Sequence, residues 1–252
     1  MQAICGGVVA AVLASGGLAL AGDFRVHNKV FIDDQPEPVS ETVTLFFGGR
    51  VYDLLHDDSE VVVFDPPNKR FVLLQPARQI RAEISLEQIE ALHERLAEKL
   101  REQGDKLSAF VLDPRFEQSK GEEEGVTTFR GQWMTYDVRT TPLKDAEQAA
   151  ASAEFAVWST RLNAIKNPSL LARRPINEWL AAENRFAERV HLVRYQRNLF
   201  GGMTQEAEFK SQHTLTPQLS RGDRERIDQV DRWLVDFRQT TLGEYWEASR
   251  EE

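Results

Sequence analysis

One cysteine, Cys5, occurs in 252 residues, and no charged side chain precedes Asp23. The two scarcities fall in the same place. Residues 6–22 are apolar or small throughout, and "ALA" at positions 19–21 has the small-x-small form of a signal-peptidase site. We read residues 1–21 as a secretory signal cleaved after Ala21, and residues 22–252 as a single α+β domain. The segment before the apolar run, "MQAIC", has no Lys or Arg, so only the α-amino group supplies positive charge. An uncleaved anchor is the alternative, because the run is about long enough to span a bilayer, although it is Gly- and Ala-rich and weakly hydrophobic. Cys5 lies too close to the start to read as an acylated lipoprotein cysteine. Cleavage would remove the one thiol, which excludes disulfides, thiol catalysis and Cys-ligated metals. No later stretch is long and apolar enough to cross a membrane as a helix. The expected product has no stable membrane span after signal cleavage and resides in the periplasm or outside the cell.

Positive charge is also short. Lys and Arg number 31 against 40 Asp and Glu, for a net charge of -9. Binding to a phosphate backbone depends on cations displacing counterions, so a nucleic-acid partner is not expected. The best basic pair, Arg173-Arg174, is only two residues long. The five histidines, His27, His56, His93, His191 and His213, occur singly, with no H-x-H or H-x-x-x-H pair. His56 beside Asp57 and Asp58, near Asp53, is the densest group of ligand-type side chains. A hairpin turn explains it better, because Asp and Ser favour turns. His93 flanks an apolar helical stripe and reads as packed. There is no G-x-S-x-G elbow, P-loop, G-x-G-x-x-G or S-x-x-K. We therefore assign no catalytic residue, no metal ligand, no ligand-binding residue and no cofactor, and expect a non-enzymatic protein.

What the chain does contain is patterned. Phe24, Val26, Val30 and Ile32 fall on alternating positions of a half-buried strand. "ETVTLFFGGRVYDLLH" is β-rich, with Gly48-Gly49 at a hairpin turn. "EVVVFD", a reversal at Pro66-Pro67, "RFVLLQ" and "RQIRAEI" continue an antiparallel meander. Ser85 and Gln88 have capping-box spacing ahead of the stripe Leu86, Ile89, Leu92, Leu96 and Leu100, and Gly104 ends that helix. Residues 106–113 read as extended, "EQSKGEEEG" as a solvated acidic loop, and "VTTFRGQWMTYDVRT" as strand. Residues 145–166 read as a second helix, with Phe155, Trp158, Leu162 and Ile165 on one face. A third helix starts near Pro175. Residues 189–217 read as a long hairpin turning at Gly201-Gly202, whose polar second arm, residues 205–216, suits an exposed edge. Ser220 with Asp223 caps a last helix bearing Ile227, Val230, Leu234 and Phe237, and the tail "LGEYWEASREE" is expected to fray or dock loosely. Core packing is the reading for Trp158 and Trp233, while Trp246 is the aromatic expected to be partly exposed.

Segregated runs of strands and helices predict α+β architecture, with one curved antiparallel sheet wrapped around several helices. Its middle strands, Val61-Val62-Val63-Phe64 and Phe71-Val72-Leu73-Leu74, are apolar on both faces, so both faces require cover. Helices could cover one; a neighbouring segment, a partner chain or a ligand must cover the other.

The segments "VTLFFGGRVYDLLHDDSEVVVFDPPNKRFVLLQ", "GQWMTYDV" and "FAVWSTRLNAI" in this order resemble the periplasmic lipoprotein-carrier (LolA-like) fold, an incomplete β-barrel around helices. Close variants of these segments recur in secreted bacterial proteins. The resemblance covers Phe24 to Val138 best, and a helical insertion at about 145–184 departs from the small carriers. It implies a lipid or lipidated chain in the concave side of the sheet. A structural or protein-interaction module of the cell envelope, pairing through the polar arm 205–216, and a hydrolase with a carboxylate site built from distant residues remain the alternatives.

Overall fold

The computed structural model describes residues 22–198 and 202–248. The leader and cleavage site expected from the sequence, Gly201 and the last four residues lie outside the described residues. The first half of the chain is a meander: β1 (Phe24–Ile32), β2 (Ser40–Phe47), β3 (Arg50–Leu55), β4 (Val61–Asp65), β5 (Arg70–Gln75) and β6 (Ile80–Ser85). Its turns follow from their residues. Gly48 and Gly49 have φ of 58° and 76°, as a two-residue hairpin loop with left-handed central residues needs. The next two reversals repeat one device. Pro66–Asn68 and Pro76–Arg78 each form a single 3-10 turn, closed by Lys69 and Gln79 in the left-handed region.

Helices α1 (Leu86–Gln103) and α2 (Lys106–Leu112) follow, then β7 (Glu117–Lys120), β8 (Val126–Arg130) and β9 (Met134–Pro142). Next come α3 (Ala146–Ala164), a 3-10 segment Pro168–Arg173, α4 (Arg174–Ala182), β10 (Arg185–Arg197) and β11 (Met203–Thr216). The described chain ends with α5 (Arg221–Asp236), β12 (Arg238–Gln239) and α6 (Leu242–Ala248). The capping boxes Ser85/Gln88 and Ser220/Asp223 are both formed.

Among the described residues all twelve strands join one open sheet, in the order β12-β6-β5-β4-β3-β2-β1-β11-β10-β9-β8-β7. Every pairing is antiparallel except β12 with β6. The architecture is α+β, as expected. Four local expectations change. Residues 106–112 are helical rather than extended, because Asp105 caps the amides of Leu107 and Ser108 and takes the Ser108 hydroxyl. Part of the acidic loop, Glu117–Lys120, is an edge strand on β8. The polar arm is no edge: β11 lies between β1 and β10, paired on both sides. The tail does not fray within the described residues, since α6 buries Tyr245 completely.

Both faces of the middle strands are covered by this chain. On the concave side Phe64, Phe71, Leu73, Val51 and Phe46 form one cluster with Ile89 of α1, Phe155 and Leu162 of α3, and Tyr245 of α6. On the convex side Val61, Val63, Val72, Leu74 and Tyr52 pack under Ile227, Val230 and Phe237 after the chain crosses back through α5. The oily second face therefore needs neither ligand nor partner. A third cluster, around Phe129, Met134, Tyr136, Val138 and Ile176, holds β8–β10 against α4 and α2.

Candidate functional site

Between these clusters the concave face is not filled. A cavity of about 270 Å³ lies where β1, β2, β3, β10 and β11 face α3 and α4. Its cause is the composition of α3. The turns facing the sheet carry Ala149, Ser152, Ala153, Ala156, Ser159 and Thr160, side chains too short to reach across. Val26, Phe46, Phe155, Leu180 and Phe186 supply apolar wall.

The floor is polar and ordered by the register of four adjacent strands. Asn28 on β1 lies opposite Thr42 on β2 and His213 on β11, and Thr44 on β2 lies opposite Asp53 on β3. Their side chains bond in sequence. Asn28 Nδ2 donates to Thr44 Oγ1 at 2.9 Å and to Thr42 Oγ1 at 3.0 Å, and the Thr44 hydroxyl donates to Asp53 Oδ1 at 2.6 Å. With the Asn28 amide committed as donor, its Oδ1 is left to face His213 Nδ1, 2.8 Å away. This assigns the imidazole: Nδ1 carries the proton, and Nε2 is an acceptor. Nε2 is buried and has no hydrogen-bond partner among the described residues, and the same holds for Ser152 Oγ, also of the cavity lining.

Burial sets the protonation of this row. It pushes the Asp53 carboxyl up to about 6, against the hydrogen bonds from Thr44 and Thr42. Burial, helped by the charge of Arg173, pushes His213 down to about 3, so the ring is neutral near pH 7. Arg173 itself lines the cavity, and burial lowers its pKa as well. It makes no hydrogen bond or ion pair among the described residues. Arg185, the other cation of the lining, is occupied with Thr140, bonding its Oγ1 at 2.5 Å.

The groups singled out in the sequence fall elsewhere. Asp57 accepts from the Ser59 amide and hydroxyl, and Asp58 pairs with Arg226, so "HDDS" is a turn. Asp53 is separate from it, on the concave face. His93 Nε2 lies 2.7 Å from the Arg161 carbonyl, as a packed histidine should. No group of three or more metal-binding side chains exists among the described residues. Arg173-Arg174 is not a surface patch: Arg173 turns into the cavity while Arg174 is exposed near Glu178. Trp158 and Trp246 pack at the rim of the concave cluster, and Trp233 stacks on Phe237.

No family model matches this chain, and no curated protein matches it. Among solved structures, a LolA superfamily protein from Nitrosomonas europaea is similar over 80% of this chain and 89% of its own, at 8% identity and a TM-score of 0.26. A likeness that remote carries no argument about family or ligand. The reading of the site rests on its own residues.

Proposed function

We propose that this is an exported, non-enzymatic protein, its leader removed after Ala21, that holds a small amphiphilic ligand between the concave face and helices α3 and α4. The observation that supports it is the cavity itself, with apolar walls, a polar floor and two buried atoms, His213 Nε2 and Ser152 Oγ, lacking partners. Buried polar atoms normally find partners, and a ligand would supply them. A volume of about 270 Å³ is at the lower edge of the ~300–1,000 Å³ typical of small-molecule sites. It favours one short chain or small molecule over a diacylated protein. The doubly apolar strands no longer support a ligand, and β11 no longer supports pairing with a partner strand. A hydrolase is disfavoured by the chemistry. Asp53 is the one carboxylate of the lining among the described residues, where paired-acid hydrolysis needs two, and a histidine at about 3 is a weak base.

The test uses the neutral fluorophore N-phenyl-1-naphthylamine with the purified protein. One saturable site is expected, and Ala156→Trp, which fills the cavity from α3, should weaken uptake at least tenfold while the thermal transition stays cooperative. Absence of saturable uptake by the wild type would remove the reading. Intact mass of the secreted or periplasmic form tests the leader, with Gly22 expected as first residue.

A further inference from the structure

Resting on that reading, we infer that the cavity takes its ligand head first and that the head is anionic, held by Arg173. Three observations lead there. Arg173 closes the 3-10 segment Pro168–Arg173, and the turn into α4 directs it to the sheet while its neighbour Arg174 faces solvent. It is the cavity's one cation without a hydrogen bond or ion pair among the described residues, since Arg185 is engaged by Thr140. A charge drawn partly out of water, as on the half-buried Arg173, is stabilised by a counter-charge or a set of hydrogen-bond acceptors. The lining does not provide that counter-charge. Asp53, its one carboxylate among the described residues, is held by Thr44 at the β3 end and forms no ion pair with Arg173.

The rest of the polar surface fits an oxyanion bound at Arg173. Ser152 Oγ can donate to it. His213, close enough to feel the Arg173 charge, offers a bare Nε2 acceptor, to which the O–H of a singly protonated alkyl phosphate can donate and a fatty carboxylate cannot. A planar guanidinium binds carboxylates and phosphates alike through paired N–H donors. The shared chemistry is therefore an alkyl oxyanion: fatty carboxylate or alkyl phosphate. Phe46, Phe155 and Phe186 of the lining supply apolar surface for the tail.

Three probes of equal chain length separate the possibilities: decanol, decanoate and decyl phosphate, each titrated by displacement of N-phenyl-1-naphthylamine. The expected result is that one or both anions bind the wild type at least tenfold more tightly than decanol. Whichever anion is preferred identifies the source. Arg173→Gln should abolish the preference for the anion over decanol measured in that same variant, and Arg173→Lys should keep part of it. Equal affinity for all three probes in the wild type, with the fluorophore bound, would overturn the anionic head and leave the cavity reading standing. An anion preference that survives Arg173→Gln in a cooperatively folded variant would also overturn it. If neither the fluorophore nor any probe binds the wild type, both readings fall together.

Discussion

The Thr44 hydroxyl donates to Asp53 across the β2–β3 pair at 2.6 Å, and this bond does not hold the carboxyl at its ordinary pKa. Burial outweighs it and lifts the acid from 3.8 to about 6. The folded protein thus holds this proton more tightly than the unfolded chain. The linked stability is fully present below pH 3.8 and is lost as pH rises through 6, a cost of about 2–3 kcal/mol at neutral pH. Asp53→Asn keeps the acceptor for Thr44 and removes the titration. Urea unfolding of both proteins should show the variant gaining on wild type between pH 4 and 7, with no change in the difference below that range. A difference that is flat with pH would show Asp53 to be ionised normally.

His213 works against Asp53 over the same range. Its folded pKa of about 3 lies below the ordinary 6.5, so the unfolded chain binds the proton first. The stability linked to the neutral ring is present above pH 6.5 and is lost as pH falls through 3, by on the order of 4–5 kcal/mol. His213→Gln should therefore gain on wild type as pH falls from 6.5 to 4, the opposite direction to Asp53→Asn. Since the two terms oppose each other between pH 4 and 6, the double variant should show little net change in slope there. A stability difference between His213→Gln and wild type that does not vary with pH would mean that water reaches the ring.

Local chemistry in this chain was legible, and long-range placement was not. Ser85 with Gln88, Ser220 with Asp223, and Gly48-Gly49 specify their own caps and turn within four residues, and each forms as read. Residues 106–112 misled because an apolar, aromatic run suits a strand, whereas Asp105 three positions before Ser108 is a helix start. The polarity of β11 suits an exposed edge. Its inward position 213 is instead polar because it faces Asn28 over the cavity floor. A clue to the site did exist: positions 24, 26, 28, 30 and 32 of β1 alternate inward, and Asn28 alone among them is polar. What no local pattern carried was the sheet order that brings Asn28, Thr44, Asp53 and His213 side by side, or the turn that sends Arg173 inward. Nor could it show that the chain returns through α5 to cover its own convex face.

That cover makes a prediction independent of any ligand. Ile227 is 1% exposed and Val230 is fully buried, both against β2–β5. Ile227→Ala should cost about 2–5 kcal/mol, the range for truncating a buried aliphatic side chain to alanine. Val235 on the same helix is 80% exposed, and Val235→Ala should change stability by no more than about 0.5 kcal/mol. Denaturant titrations of the two variants check the contrast. Equal, small effects would mean that α5 does not seal the convex strands, and that their apolar face is open for a partner.

Tyr245 decides whether the C-terminal helix belongs to the core. Its ring is fully buried in the concave cluster, and its hydroxyl donates to Glu60 Oε1 at 2.9 Å, from α6 to the start of β4. Burial raises its pKa, so it remains a phenol throughout the working range. Ahead of it, Glu244 accepts the Thr241 amide and the hydroxyls of Thr240 and Thr241, which holds the first turn of α6 and lowers the Glu244 pKa to about 2. Tyr245→Phe removes the hydrogen bond alone and should cost about 1–2 kcal/mol. Tyr245→Ala removes the ring and should cost about 3–5 kcal/mol, as large-to-small changes of buried aromatic residues do. Hydrogen exchange provides the second measurement: the Tyr245 amide, bonded to the Thr241 carbonyl, should be protected in the wild type and exchange freely in the alanine variant. A loss below about 1 kcal/mol for Tyr245→Ala, with that amide unprotected in the wild type, would return α6 to the status of a frayed tail and open the concave cluster beside Phe64 and Phe71.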